Sequence, residues 1–165
     1  MKLLAVLDKK DYSENAPVIE MHTVRAIIRK NGRIATQKSA AGEYKLLGGG
    51  MEKGEDEFET LAREVREEGG MVVIPESIRP VGEILEMHED IFQKGHKYVC
   101  RSGFYFCDVT DERLELQMAA GEIAKGCYLC WAEPEEIIEG NRRFADRSWI
   151  YRDALIIELL LKGEI

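Results

Sequence analysis

Between positions 56 and 70 the apolar side chains recur at helical spacing. Phe58, Leu61, Ala62 and Val65 follow the i, i+3, i+4, i+7 rule and predict one buried stripe on a helix. Asp56 supplies an N-cap and Gly70 a C-cap. Most of the remaining chain reads as strands. Residues 3–7 form a short apolar run, followed by a polar loop through Asp11, Ser13, Asn15 and Pro17. Residues 24–29 and 33–37 are β-type segments joined by Lys30, Asn31 and Gly32, and Asn-Gly predicts a type I′ hairpin. Residues 44–47 make a short strand that runs into three glycines, Gly48 to Gly50. Strands are also expected at 71–74, stopping at Pro75, at 78–86, at 98–109 and at 127–131. The aromatic-rich segment 98–109 is the longest of these and reads as central. Residues 88–96 read as a hairpin tip, and residues 111–122 as a polar stretch. Pro134, Glu135 and Glu136 suit a helix start, with Gly140 ending that helix. Ser148 is the expected cap of a last helix reaching about Leu161, apolar on nearly all sides.

Mixed strands and helices in this order, with hairpin connections, predict an α/β or α+β fold in which a sheet packs between helices. No repeat or linker-like break divides residues 1–165, so one domain is expected. Phe104, Tyr105 and Phe106 read as core, with stacking against a base as the alternative. The last helix either completes the core or forms a homodimer contact.

The chemistry is concentrated after the glycines. Glu64, Glu67 and Glu68 share one face of the first helix, about a third of a turn from its apolar stripe. Like charges at that spacing cost a few tenths of a kcal/mol per pair. A divalent cation would offset the cost, because Mg²⁺ is bound through carboxylates together with substrate phosphates. The alternative is a solvated acidic face. The surrounding residues bear on that choice. Gly49, Glu55, Arg63, Glu64, Val65, Glu67, Glu68, Gly70 and Met71 fill the pattern G-x5-E-x7-R-E-U-x-E-E-x-G-U, where U is a bulky aliphatic. A chance match is well under about one in a million at average composition. The pattern resembles the signature of the Nudix hydrolases. Leu47 stands where many members have proline, and Gly69 where alanine or threonine is usual.

That resemblance implies an αβα sandwich with a mixed sheet between helices. It also implies Mg²⁺- or Mn²⁺-dependent hydrolysis of a nucleoside diphosphate linked to another moiety. Glu67, Glu68, Glu64 and the Gly49 carbonyl are the implied metal ligands, with Glu64 alternatively the base. Arg63 would orient the glutamates, Glu55 would shape the loop, and Glu122 is a candidate further ligand or general base. Arg25, Arg29, Lys38 and Lys45 are candidate phosphate contacts. Neither the proline of the ADP-ribose class nor the tyrosine of the dinucleoside polyphosphate class stands at its expected place in residues 81–98. A nucleoside triphosphate or a nucleotide sugar therefore remains open as substrate. A Nudix-fold nucleotide-binding or regulatory module that has lost catalysis is the second reading.

Composition limits the partners. A net charge of -8 argues against a duplex nucleic-acid binder. The apolar run at 3–7 is too short for a signal peptide, and no run is long enough to span a bilayer, so a cytoplasmic protein is expected. Cys127 and Cys130 make a CxxC, but on a strand residues three apart face oppositely. Buried free thiols are the expected state of all four cysteines.

Overall fold

The computed structural model describes residues 1–165. Its elements are β1 (Leu3–Asp8), β2 (Val18–Ile27), β3 (Arg29–Lys30), β4 (Arg33–Lys38), β5 (Tyr44–Leu46), α1 (Glu57–Gly69), β6 (Met71–Val73), β7 (Arg79–Glu89), β8 (Lys97–Phe106), β9 (Val109–Arg113), α2 (Ala120–Ala124), β10 (Tyr128–Ala132), α3 (Pro134–Arg142) and α4 (Ser148–Leu161), with one 3-10 turn at Pro75–Ser77. A mixed four-stranded sheet has the order β1-β7-β8-β2, in which β1 runs parallel to β7 and β2 parallel to β8, while β7 and β8 are antiparallel. Strand β8 is internal, as its apolar content requires. An antiparallel group, β10-β4-β3 with β5 on β4, continues this layer.

The glycine segment joins the two groups. The N–H groups of Val24 and Ala26 donate to the carbonyls of Gly49 and Leu47, and the Met51 N–H donates to His22. The loop is thus sewn along the free edge of β2, and its backbone cannot wander from the sheet.

The alternation of β2 divides the core between two faces. Val24 and Ala26 join Ile28, Leu47, Leu61, Val65 and Tyr105 beneath α1. Ile27 joins Ile34, Leu46, Phe104, Ile137, Ile156 and Ile157 beneath α3 and α4. Helices therefore cover both sides of the sheet layer. Phe104 and Tyr105 are both buried, so these aromatics serve the core, whereas Phe106 carries the Arg29 guanidinium 4.8 Å from its ring.

The strands and helices shift several expected boundaries. Strand β2 begins at Val18, because its first half pairs in parallel with β8 along Lys97–Arg101, a long-range partner that local pattern does not contain. Strand β9 starts at Val109, the expected end of the aromatic-rich strand, runs to Arg113 inside the stretch read as polar from 111, and pairs with β6. Helix α3 runs through Gly140 to Arg142, since Gly140 packs so closely on Tyr44 that a Cβ would lie 2.7 Å from its ring. Arg147 occupies the cap position of α4, and the Ser148 hydroxyl is buried without a partner, so Ser148 is the first helical residue rather than its cap. In α1, Leu61 and Val65 are buried as expected, but Ala62 and Phe58 are exposed. The buried face is turned toward Thr60, Glu68 and Gly69, because the helix packs against the glycine loop as well as the sheet. Phe58 lies edge-on to Tyr105, 5.8 Å between centroids.

Candidate active site

Two caps hold α1 in place. The Asp56 carboxylate accepts the N–H groups of Phe58 and Glu59, and the Glu59 carboxylate accepts the Asp56 N–H, a reciprocal capping box. Gly70 ends the helix at φ 57° and donates to the Arg66 carbonyl. The left-handed conformation there suits glycine. Between these caps the helix presents its carboxylates to the glycine loop.

Each glutamate is engaged. Glu68 is 2% exposed; one oxygen accepts the Gly48 N–H at 2.8 Å and the other the Lys45 ammonium at 2.5 Å. Glu64 accepts from Arg63 at 2.8 Å, and its carboxylate lies against Gly49, where a Cβ would come within 2.2 Å of Oε1. Glu67 takes a longer contact from the same guanidinium nitrogen, 3.4 Å. Arg63 is anchored by Glu55 at 2.6 and 2.9 Å and by the Gly50 carbonyl at 3.1 Å. Glu55 in turn accepts the Thr60 hydroxyl and the Glu52 N–H, so it ties the loop to the helix.

Glu122, expected in a loop, stands on the short helix α2 and joins the site through Lys45, whose ammonium lies 3.1 Å from its Oε1. Burial pushes the Glu68 carboxyl up to about 8, against the pull of Lys45. For Glu122 burial acts in the same upward sense, but hydrogen bonding with Glu68 and the charge of Lys45 outweigh it and hold the carboxyl at about 2. The Arg63 hydrogen bonds, followed by the Glu52 N–H, lower Glu55 to about 2.

The four candidate phosphate contacts separate. Only Lys45 reaches the glutamates. Arg25 lies on the opposite sheet face from Val24 and Ala26, 7% exposed, with its Nε unpartnered; burial and then the neighbouring Arg152 lower its pKa. Arg29 sits over Phe106, and Lys38 donates to the Tyr44 hydroxyl at 2.7 Å. A cavity of ≈ 580 Å³ lined by Lys30, Asn31, Arg33, Arg113, Trp131 and Glu133 contains none of Glu64, Glu67, Glu68 and Glu122. The carboxylates rather than cavity size locate the chemistry, because Lys45 and Arg63 fill the space between the acids. The four cysteines are unbonded, with Cys100 and Cys107 buried.

The NUDIX domain profile matches residues 21–152. The chain belongs to the Nudix family. Solved structures agree in fold. The E. coli ORF135 protein superposes with a TM-score of 0.52 at 23% identity, over 74% of this chain and 79% of its own. MutT from Aliivibrio salmonicida and Vibrio cholerae gives 0.54 at 15% identity, over 86% and 96%. No curated protein sequence gives a match.

The oxygen donors of this Nudix site suit a hard divalent cation. Glu64 and Glu67 each keep one oxygen without a protein partner. The Gly49 carbonyl already accepts the Val24 N–H at 3.0 Å, which leaves it one lone pair, whereas the adjacent Gly48 carbonyl accepts no hydrogen bond. No three acidic, histidine or cysteine side chains converge as they stand, since Arg63 lies between Glu64 and Glu67 and Lys45 between Glu68 and Glu122. The Gly48 amide and the double contact of Lys45 were not legible in the sequence. Lys45 is visible there only as a cation three residues before the glycines, and its contact with Glu122 spans 77 positions.

Proposed function

We propose that this chain is a pyrophosphohydrolase acting on a nucleoside diphosphate linked to another moiety, such as a nucleoside triphosphate or a nucleotide sugar. The observation that carries the reading is the placing of Glu64 and Glu68 against the glycine loop, with Glu67 tied to Glu64 through Arg63 and Glu122 brought beside Glu68 through Lys45. Glu64, Glu67, Glu68 and a loop carbonyl, that of Gly49 with Gly48 beside it, would hold Mg²⁺ or Mn²⁺. Such an ion supplies charge neutralisation on phosphate oxygens and a lowered pKa for water.

The residues of the chain do the rest. Arg63, pinned by Glu55, holds Glu64 and Glu67 toward the loop. Glu122, brought beside Glu68 through Lys45, is the candidate further metal ligand or general base. Lys45 is the candidate cation within reach of a phosphate at the glutamates. No helix is long and apolar enough to cross a membrane, and four unbonded cysteines suit the reducing cytoplasm.

A second reading, a nucleotide-binding or regulatory module without catalysis, is favoured by one observation: each box glutamate already contacts an internal cation. Release of phosphate and pyrophosphate from nucleoside triphosphates, nucleotide sugars, ADP-ribose and dinucleoside polyphosphates, with and without Mg²⁺, separates the two. Metal-dependent cleavage of one class is expected, with Glu68→Gln lowering its rate by roughly 10²- to 10³-fold. A folded Glu68→Gln protein that keeps most of the activity would refute the assignment of Glu68.

A further inference from the structure

The two cations of the acidic site are held very differently. The Arg63 guanidinium is fixed by two bonds to Glu55 and one to the Gly50 carbonyl, besides its contacts with Glu64 and Glu67. It is a framework group. Lys45 has only two partners, Glu68 Oε1 and Glu122 Oε1, and its side chain is 37% exposed. Lysine is a compact point charge on a flexible stem, so it can leave without disturbing the loop.

Its partners cannot leave. The Glu68 side chain is 3% exposed and also holds the Gly48 N–H. The Glu122 side chain is 18% exposed and turns its second oxygen back to the Ala119 N–H. Two carboxylates facing one another at such burial repel, and the repulsion is relieved by a shared proton or by a positive charge between them. The Lys45 ammonium supplies that charge here, and a divalent ion, which takes the same oxygens, would supply more of it.

We propose that Lys45 is a resident, displaceable counter-cation of the acidic site, competing with a divalent metal ion for Glu68 and Glu122. The inference rests on the reading of these carboxylates as metal ligands. Wild-type metal affinity is therefore set below what the carboxylates alone would give. A displaced ammonium is free to turn through the exposed side of the site toward an anionic phosphate, so substrate binding and metal binding assist each other, as linkage requires.

The test is calorimetric titration with Mn²⁺, without substrate, on the wild type and on Lys45→Met, with Lys45→Gln as a polar substitute should the methionine variant fail to fold. Removal of the competing charge should tighten Mn²⁺ binding about tenfold. In chelator the variant should melt below wild type, and Mn²⁺ should raise its melting temperature by more than it raises that of wild type. Mn²⁺ affinity equal to or weaker than wild type would overturn the proposal; a purely phosphate-binding lysine gives that result. If wild type binds Mn²⁺ and Glu68→Gln abolishes binding while Lys45→Met changes nothing, only the role of Lys45 falls. If wild type binds no divalent ion at all, the metal reading of the glutamates falls with it.

Discussion

Glu68 is a carboxylate in a place where charge is poorly solvated, and its burial has a consequence for stability. With its pKa raised from 4.5 to about 8, the folded protein binds more protons than the unfolded chain between those values. Metal-free protein should therefore lose stability as pH rises from about 4.5 to about 8, by at most about 1.4 kcal/mol per pH unit. Glu122 acts in the opposite direction. Its lowered pKa adds stability that is present above 4.5 and lost as pH falls toward about 2. Glu68→Gln should flatten the upper decline, and urea midpoints measured in chelator between about pH 5 and about pH 8 report it directly. Parallel profiles for wild type and variant would exclude Glu68 as the titrating group.

Helix α1 and the glycine loop meet at two glycines that play different parts. At Gly48, φ is 143° and a Cβ would fall 2.0 Å from the Val24 carbonyl oxygen, a backbone atom locked in β2. Gly48→Ala should therefore destabilise the fold, by about 2 kcal/mol or more. At Gly49 the obstacle is the Glu64 carboxylate, at 2.2 Å, which is the end of a movable side chain. Gly49→Ala should keep the fold while pushing Glu64 aside, with weakened Mn²⁺ binding and near-normal urea unfolding. An alanine scan in which both variants unfold alike would contradict this division. The helix itself was legible from Asp56 to Gly70, since its caps and periodicity are local. The rotation that exposes Phe58 and buries Glu68 was not, because it depends on a loop docked along β2. Strand β9 was missed for a similar reason: its partner β6 stands on the far side of two long strands.

Across the molecule, α4 carries a buried ionic group that ties β7 and β8 of one strand group to β5 of the other on the face that α4 covers. Arg152 donates to Glu86 on β7 and to Ser102 on β8, and its neighbour Asp153 accepts the Leu46 N–H just before the glycine loop. Glu86 keeps one oxygen buried and unpartnered. Arg152→Met would leave that carboxylate without its counter-charge, a loss expected to cost about 3–5 kcal/mol. Chemical denaturation checks it, and a loss below about 1 kcal/mol would mean the pair is poorly coupled. Of the apolar residues of α4, Ile150, Ala154, Ile156 and Ile157 are buried within the chain, whereas Leu161 is 50% exposed.

What the sequence determined alone was everything written in neighbouring residues: the capped helix, the hairpin, the glutamate spacing, and through these the family and its layered fold. Helical and strand periodicities are local geometric facts, and a pattern of nine residues is too specific to arise by chance. The tertiary structure decided what each charge faces. It turned Arg25 to the face opposite Val24, set Arg29 on Phe106 and Lys38 on Tyr44, and left Lys45 alone between Glu68 and Glu122. Those pairings follow from strand register and helix docking over tens of residues, and electrostatic partners at that separation leave no periodic trace in the chain.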